Sequence, residues 1–443
     1  MTSPPIALVS AAILLTLSGA ARADDPVSGA AQSPGGPTIE VAPEHQKPPE
    51  PPAVAVGAGT VEDSKLVRGL SEQRGVRAEQ STTGTSVGGY AEAVVSGLQQ
   101  GKNGEREWTA DIPRLVLFVA HSFAKGVRFY SELEVEHAAG CAGCRGAVEL
   151  EQAYVEAKLA GDSLGLRGGL VLMPMGIINQ WHEPPIYLGA VRPRVETVVI
   201  PSTWRELGVG LFGTPRDWLR YEAYFVTGLD PAGFTSRGIG GGRQDGSLAR
   251  ANSWAGTARV EVEPLLGFVA GVSGYLSDAG ANADVHAKDG DERSIDAPVL
   301  GWSADARWRR AGLEWKVLYA EWHLPESKQL MASFDEDGAP LVDAKSPVPT
   351  LVRGGYVELG YDVFHPFGLS HQIVPFARIE RYDTQAAVPD GFAEDPSLRV
   401  TQLTFGAAYR PLQQVVVKVD YQLRYPTEGV DEGQLNFGLG CMY

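Results

Sequence analysis

The side chains best suited to bind a ligand in this 443-residue chain are basic groups. They lie on one face of short segments in which polar and apolar residues alternate. In residues 414–424, for example, Lys418, Asp420 and Arg424 share one face, whereas Val417 and Val419 share the other. Guanidinium groups bind phosphate and carboxylate through two parallel hydrogen bonds. Along a wet passage, cations could draw in small anions without trapping them. The predicted lumen-facing bases are Arg114, Arg128, Arg167, Arg220, Arg259, Arg307, Arg309, Lys316, Arg378, Lys418 and Arg424.

The same faces also carry many acids, so each base has a second interpretation as half of an ion pair with no role in transport. So many charges on one face would be too costly in a dry core, and they therefore predict a water-filled interior of mixed charge. The net charge of −16 decides nothing about permeants, because outer loops can hold much of the acid. The predicted lumen-facing acids are Glu92, Glu132, Glu134, Glu222, Asp305, Glu314, Glu358, Glu380 and Asp420.

Other reactive residues give no catalytic arrangement. Ser370 and His371 are adjacent, but neighbours on a strand point in opposite directions, and the pair falls in a predicted turn. The eight histidines are scattered, without an H-E-x-x-H motif. We therefore expect no enzymatic activity, no cofactor and no metal site. Cys141 and Cys144 form a C-x-x-C pair, which falls short of the four ligands of a structural zinc site. A disulfide is favoured over two free thiols in an exported chain.

The segments that carry these residues are predicted to be β-strands, because polar and apolar residues alternate along them with a period of two. Sixteen are predicted, and no run of about 18 apolar residues follows the N-terminus, so helical membrane spans are excluded. The pattern predicts an all-β fold, a 16-stranded antiparallel transmembrane β-barrel. The strands are placed at 87–98, 111–122, 126–137, 147–159, 163–172, 205–213, 217–227, 253–262, 267–277, 298–309, 311–323, 353–363, 373–384, 398–410, 414–424 and 434–443.

The loops between the predicted strands fall into a short set and a long set. Every second one is short, such as 123–126 and 214–216, whereas 173–204, 228–252, 278–297 and 324–352 are long. Short periplasmic turns and long outer loops are typical of outer-membrane barrels. The last strand places Phe437, Leu439 and Tyr443 on one apolar face, which we interpret as lipid-facing and as the signal for the barrel-assembly machinery. This organisation predicts location in the bacterial outer membrane.

The chain before the barrel divides into three predicted segments. Residues 1–23 resemble a signal peptide, because an apolar stretch at 6–17 precedes an A-x-A site at Ala21 to Ala23, although no Lys or Arg precedes that stretch. Residues 24–59 form a Pro-rich disordered linker. Residues 60–86 form a polar periplasmic segment that is either a short helix or disordered, and the porin domain occupies 87–443.

The connection at 173–204, the third outer loop, is the predicted pore constriction. Five prolines stiffen it, and its many apolar residues suit packing against the barrel wall. An ordinary surface loop is the alternative. Its polar groups are His182, Glu183, Arg192, Arg194 and Glu196.

Several segments together resemble the phosphate-selective porin O/P family over about residues 87–443. The matching segments are 114–118, 129–137, 149–154, 169–176, 182–185, 196–204 and 375–383. The resemblance implies a sixteen-stranded trimeric porin whose third loop folds inward. It does not by itself establish phosphate selectivity, because the family includes poorly characterised members and the residues of the mixed lumen support that selectivity only in part.

The sequence therefore predicts an outer-membrane porin for passive diffusion of small hydrophilic solutes, with anions such as phosphate as the expected permeants. The expected partners are outer-membrane lipid, lipopolysaccharide and two further copies in a homotrimer; no nucleic acid is expected. The alternative is a non-conducting receptor or structural barrel that binds a partner through its outer loops. Two acidic loop segments, 284–291 and 333–338, could bind cations, although such loops are usually only solvated.

Overall fold

The computed structural model of the chain describes residues 83–101, 104–138, 146–282, 295–333, 341 and 347–443. The predicted signal peptide (1–23), the linker (24–59) and most of the polar segment (60–86) lie outside the described residues. Cys141, Cys144 and most of the two acidic loop segments also lie outside them. These assignments stay predictions.

Sixteen antiparallel strands form one closed barrel in which β1 pairs with β16, and this confirms the predicted fold class. Most boundaries agree closely with the prediction, but β2 begins at Arg106 rather than at residue 111. The strands are β1 (Gly84–Gln100), β2 (Arg106–Ala124), β3 (Val127–Glu136), β4 (Val148–Lys158), β5 (Gly165–Leu172), β6 (Arg205–Arg216), β7 (Leu219–Thr227), β8 (Trp254–Leu265), β9 (Phe268–Asp278), β10 (Pro298–Arg310), β11 (Leu313–His323), β12 (Leu351–Tyr361), β13 (Gln372–Ala387), β14 (Arg399–Leu412), β15 (Val415–Pro426) and β16 (Glu432–Met442).

Within the described residues, helical structure is confined to short segments in the connections, such as α1 (Ser327–Met331) and the turns Pro184–Ile186 and Val195–Val199. No helix in the described parts of the chain is long and apolar enough to cross a bilayer.

The two faces of the strands differ as their alternation requires. In β16, Phe437 is 46% exposed and Leu439 is 53% exposed, whereas the intervening Asn436 and Gly438 face the interior. The outward face carries an apolar belt around the barrel, which includes Val357 and Ile379. An apolar exterior around a charged interior is the arrangement that a bilayer requires of a closed barrel.

The connections differ in length at the two ends of the barrel, as predicted. At the end with short turns, here called the short-turn end, Gly126 and Gly312 adopt φ values of 82° and 79°. These positive values favour glycine and allow the chain to reverse tightly. The long connections that follow β5, β7, β9 and β11 begin at the opposite end, here called the long-loop end.

The connection at 173–204, here called the third loop, enters the barrel, and this confirms its predicted inward fold. Its helical turn Pro184–Ile186 contacts β1, β15 and β16, whereas Val195–Val199 contacts β11, β12 and β13. Gly440 leaves room for this crossing, because a Cβ there would lie 2.3 Å from Cβ of Pro184. Because the loop begins at β5, eight strands away from β13 in the closed barrel, these contacts carry it across the lumen to the opposite wall.

An apolar cluster fills the interior on one side at the long-loop end. It is defined here by Trp204, Leu229, Ile239, Tyr275 and Trp322, all of them buried. The ring centroids of Trp204 and Trp322 lie 5.6 Å apart, and each ring also packs against Tyr275. Strands and long loops thus share one packed core inside the barrel.

Candidate channel interior

A polar cavity of about 500 Å³ lies beside β1, β2, β14, β15 and β16, next to the third loop on the long-loop side. We call it the polar vestibule. Most of its charged and amide side chains come from the strands, and Arg192 and Arg194 come from the third loop. The polar groups that define it are Glu92, Asp111, Arg114, Arg192, Arg194, Gln402, Gln422, Arg424, Glu432 and Gln434.

A second cavity lies toward the short-turn end, and Ile177, Trp181 and Ile186 of the third loop line it. Its other walls include Arg220 and Arg307. The third loop therefore borders a cavity on each side, which is the position expected of a constriction.

The predicted lumen bases lie on the inner face, and most form ion pairs with carboxylates of the wall. Arg114 lies 2.9 Å from both Glu92 and Glu134, and Arg378 bridges two carboxylates on β12 and β13 in the same way. These pairs satisfy charges that burial would otherwise make costly. The paired bases are Arg114, Arg128, Arg167, Arg220, Arg259, Arg307, Arg309, Lys316, Arg378 and Arg424.

Lys418 differs from these paired bases. Its Nζ donates a hydrogen bond of 2.8 Å to the carbonyl oxygen of Gly189 and lies 3.5 Å from the ring centroid of Tyr187. Both partners belong to the third loop. Lys418 therefore holds the loop against β15 and β16 through a carbonyl dipole and a cation–π contact.

Arg192 and Arg194 also differ from the paired bases. Arg192 donates to the hydroxyl oxygens of Ser202 and Thr203 at 2.5 Å and 2.9 Å. Among the described residues, no carboxylate forms an ion pair with either arginine, and both line the polar vestibule. They bring positive charge to the vestibule without a direct carboxylate partner among the described residues.

The other three predicted constriction residues face the barrel wall instead of the vestibule. His182 and Glu183 are fully buried, and Glu196 is almost so. Oε2 of Glu196 accepts the backbone N–H groups of Ile177 and Ile178 at 2.7 Å and 2.5 Å, and Oε1 accepts the hydroxyl of Tyr356 at 2.6 Å. Burial raises the pKa of Glu196 to about 6. The loop needs such anchors to pack inward, which is why these groups do not face the passage.

Glu151 is an inward carboxylate that the prediction missed. In the pairing of β3 with β4, Leu133 opposes Leu150 and Glu132 opposes Gln152, so Glu151 is the extra residue of a β-bulge. Its side chain is fully buried. The sequence carried a signal, because the outward apolar positions change from even numbers (Val148) to odd numbers (Val155) across this strand.

The C-terminal residues lie where the alternation predicts. Phe437, Leu439 and Tyr443 are exposed on the outer face, and the backbone N–H of Tyr443 donates to the carbonyl oxygen of Gly89 on β1. Cys441 is a free, half-buried thiol. The last strand thus closes the barrel while it presents aromatic side chains outward.

Comparison with known proteins supports the fold. No protein-family model matches the chain. The OmpF structure from Salmonella typhi in complex with daunomycin has a TM-score of 0.52 at 13% identity, over 82% of this chain and 98% of that one. The high-pH structure of Pseudomonas putida OprB has a TM-score of 0.50 at 10% identity, over 84% and 97%. The chain thus has the barrel fold of these outer-membrane proteins.

One curated relative is similar in sequence. An uncharacterized protein from Aquifex aeolicus (strain VF5) is 30% identical over 349 residues, which cover 77% of this chain and 76% of that protein. The narrower resemblance to phosphate-selective porins stays a prediction. The chain is a bacterial outer-membrane β-barrel protein that belongs to the same family as the Aquifex aeolicus protein.

Proposed function

We propose that the chain forms a water-filled channel for passive diffusion of small hydrophilic solutes, with a preference for anions. The support lies in the charged interior of a closed barrel and in the cavities on both sides of an inward-folded loop. Barrels of this size enclose enough space for an aqueous passage.

The observation that carries the anion preference is the state of Arg192 and Arg194. Four basic side chains line the polar vestibule (Arg114, Arg192, Arg194 and Arg424), against three acidic ones (Glu92, Asp111 and Glu432). Because Arg114 and Arg424 are ion-paired, we attribute the anion preference to the two third-loop arginines.

A preference for phosphate among anions is the narrower part of the proposal. The guanidinium of Arg192 is already occupied by Ser202 and Thr203, whereas Arg194 is half-exposed toward the vestibule. Guanidinium matches the geometry of phosphate oxygens. The phosphate preference therefore depends on Arg194 together with the family resemblance.

The assembly of the protein belongs to the same proposal. We infer a homotrimer in contact with lipid and lipopolysaccharide, and recognition of the C-terminal strand by the barrel-assembly machinery. The trimer follows from the family resemblance. The exposed Phe437, Leu439 and Tyr443 support contact with lipid and recognition of the strand.

Single-channel recording with the purified full-length protein in planar bilayers tests the channel. We expect discrete ohmic steps and, under a salt gradient, a reversal potential of anion-selective sign. Arg194→Glu should shift that potential toward cation selectivity, because it reverses a charge beside the passage. Arg216→Glu, at an exposed position next to a short turn, is the matched control and should change nothing.

Two results would count against the proposal. An absence of conductance would remove the channel, and an unchanged reversal potential in both Arg192→Glu and Arg194→Glu would remove the anion preference. Phosphate in place of chloride should then lower the conductance steps if Arg194 binds it, and equal block in the Arg194→Glu variant would refute that contact.

A non-conducting receptor barrel is the second candidate. The observation that favours it is the apolar cluster, which fills one side of the lumen at the long-loop end. The same recordings separate the candidates, because a receptor barrel of this kind would give no steady conductance steps.

A further inference from the structure

We propose that Glu132, Glu151 and His182 form a binding site for a divalent transition-metal ion that fastens the third loop to the barrel wall. The three side chains come from β3, β4 and the third loop, and all are fully buried. One ligand atom from each lies within 4.8 Å of the other two. The sequence predicted no metal here, since the residues lie far apart along the chain.

The arrangement of His182 favours metal binding through Nε2. Nδ1 lies 3.1 Å from the carbonyl oxygen of Asn179, so the N–H at Nδ1 donates to that carbonyl. The lone pair of the neutral ring then lies on Nε2, which is 3.5 Å from Oε2 of Glu151. A hydrogen bond from the remote nitrogen to a backbone carbonyl is the usual support of a histidine ligand.

Glu151 supplies the independent reason to expect a cation. It is fully buried beside the carboxyl group of Glu134, and no N–H group donates a hydrogen bond to its oxygens in the described parts of the chain. The one basic group within ion-pair distance among those residues is His182 itself. A buried carboxylate facing an imidazole lone pair is strongly unfavourable unless a cation or a proton lies between them. The β-bulge in β4 turns this carboxylate inward, and such bulges commonly re-aim a side chain at a site.

The surroundings complete the site. The hydroxyl of Tyr130 donates to Oε1 of Glu132 at 2.6 Å, which orients that carboxylate. Arg114, a nearby guanidinium, is engaged by Glu92 and Glu134. Arg192, which lines the polar vestibule, lies within 3.4 Å of the carbonyl oxygen of His182. One residue, Arg192, thus separates the site from the polar vestibule.

The ligands indicate the class of ion. One imidazole nitrogen with carboxylate oxygens suits zinc and similar divalent metals, whose bonds to such atoms are about 2.0–2.2 Å. Ligand atoms around such an ion lie about 3–4 Å apart, so the Nε2–Oε2 distance of 3.5 Å between His182 and Glu151 already fits, whereas a spacing at the 4.8 Å limit would have to contract by about 1 Å. The bound ion would join two strands to the loop that crosses the lumen.

The test uses the purified full-length protein, stripped with a chelator and titrated with Zn²⁺ in a calorimeter. We expect about one ion per chain, and at least a tenfold weaker Kd in both Glu151→Gln and His182→Gln. Glu222→Gln is the matched control, because Glu222 is a lumen carboxylate that accepts hydrogen bonds from neutral groups, Gln180 and Tyr224. It should bind like the wild type.

A second measurement protects the test against a variant that fails to fold. In the wild-type protein, Zn²⁺ should raise the midpoint of thermal unfolding, because an ion that binds only the folded state stabilises it. Co²⁺ should give the visible absorption of an ion with nitrogen and oxygen ligands. An absence of binding to the folded wild type would overturn the proposal and assign the cluster to a shared proton. Equal binding in the two ligand variants would also overturn it, because the ions would then bind elsewhere. Neither readout depends on conductance.

Discussion

The apolar cluster and the polar vestibule occupy the same barrel but have opposite interiors. In the cluster, Trp204, Tyr275 and Trp322 pack ring against ring and exclude water. In the vestibule, amides such as Gln402 and Gln422 line a cavity of about 500 Å³. Inward and outward side chains alternate along the strands in the same way beside the cluster and beside the vestibule. The barrel alone therefore does not determine whether its interior is packed or hydrated. The loops contribute to the difference, because long ones add apolar side chains such as Leu229, Ile239 and Leu330 to the side with the cluster.

The two regions therefore carry different tasks. Burial of large aromatic side chains contributes to the free energy of unfolding, whereas a hydrated cavity contributes little to it. The vestibule instead holds the arginines that are available to a permeant. This division predicts that stability and selectivity respond to different substitutions.

The largest effect is expected from Trp322→Ala in the apolar cluster. Trp322 is fully buried and contacts both Trp204 and Tyr275, so its loss leaves a cavity in a packed core. We expect a loss of about 3–5 kcal/mol in the free energy of unfolding, with an unchanged reversal potential. Chemical unfolding of the protein in detergent measures the first quantity and bilayer recording the second.

Gln402→Ala is the matched substitution in the polar vestibule. Gln402 is also buried, but its hydrogen bonds to Gln422 and Thr404 are long, at 3.3 Å and 3.5 Å. Its removal should cost about 1 kcal/mol or less. Equal costs for the two substitutions would contradict the division between a stabilising core and a hydrated cavity.

A smaller effect is expected from Gly440→Ala, where the third loop contacts the wall near the vestibule. The new Cβ would lie 2.3 Å from Cβ of Pro184, and a proline ring cannot turn away. We expect a cost of about 1–3 kcal/mol from overpacking and a changed single-channel conductance, because the loop must shift. Unfolding and bilayer recording measure the two effects.

Gly256→Ala is the control for that substitution. A Cβ at Gly256 on β8 would meet nothing within 4 Å. Both changes reduce the entropy of the unfolded chain in the same way, so their difference isolates the clash with Pro184. If both variants behave alike, the loop does not rest on β16 as the structure shows.

The sequence predicted the strands of the barrel far better than the positions of the side chains inside it. Alternation alone located all sixteen strands, because only one face of a membrane strand can be apolar. It also indicated an inward third loop, since Pro184 and Ile186 suit a packed surface. It could not tell which of the loop's polar groups face the vestibule, because Glu196 and Arg194 are close in sequence but point to different surroundings. The bulge at Glu151 was missed because a regular period was assumed throughout β4.

The smallest expected effect is a pH-dependent change in stability at Glu196, which lies at the boundary between the apolar cluster and the polar vestibule. Glu196 lies between Val195, which is buried in one apolar core with the apolar cluster, and Thr197, which lines the polar vestibule. Burial raises its pKa from the ordinary 4.5 to about 6, so the folded chain holds this proton more tightly than the unfolded chain. The resulting stabilisation is fully present below pH 4.5 and is lost as the pH rises through about 6.

Glu196→Gln isolates this contribution, because glutamine does not titrate and the other groups cancel in the difference. The free energy of unfolding of the variant should rise relative to that of the wild type by at most about 2 kcal/mol between pH 4.5 and 6, and stay level above that. Urea unfolding at stepped pH measures the difference. Parallel curves would mean that water reaches Glu196, and the polar vestibule would then extend past the third loop into the region assigned to the apolar core.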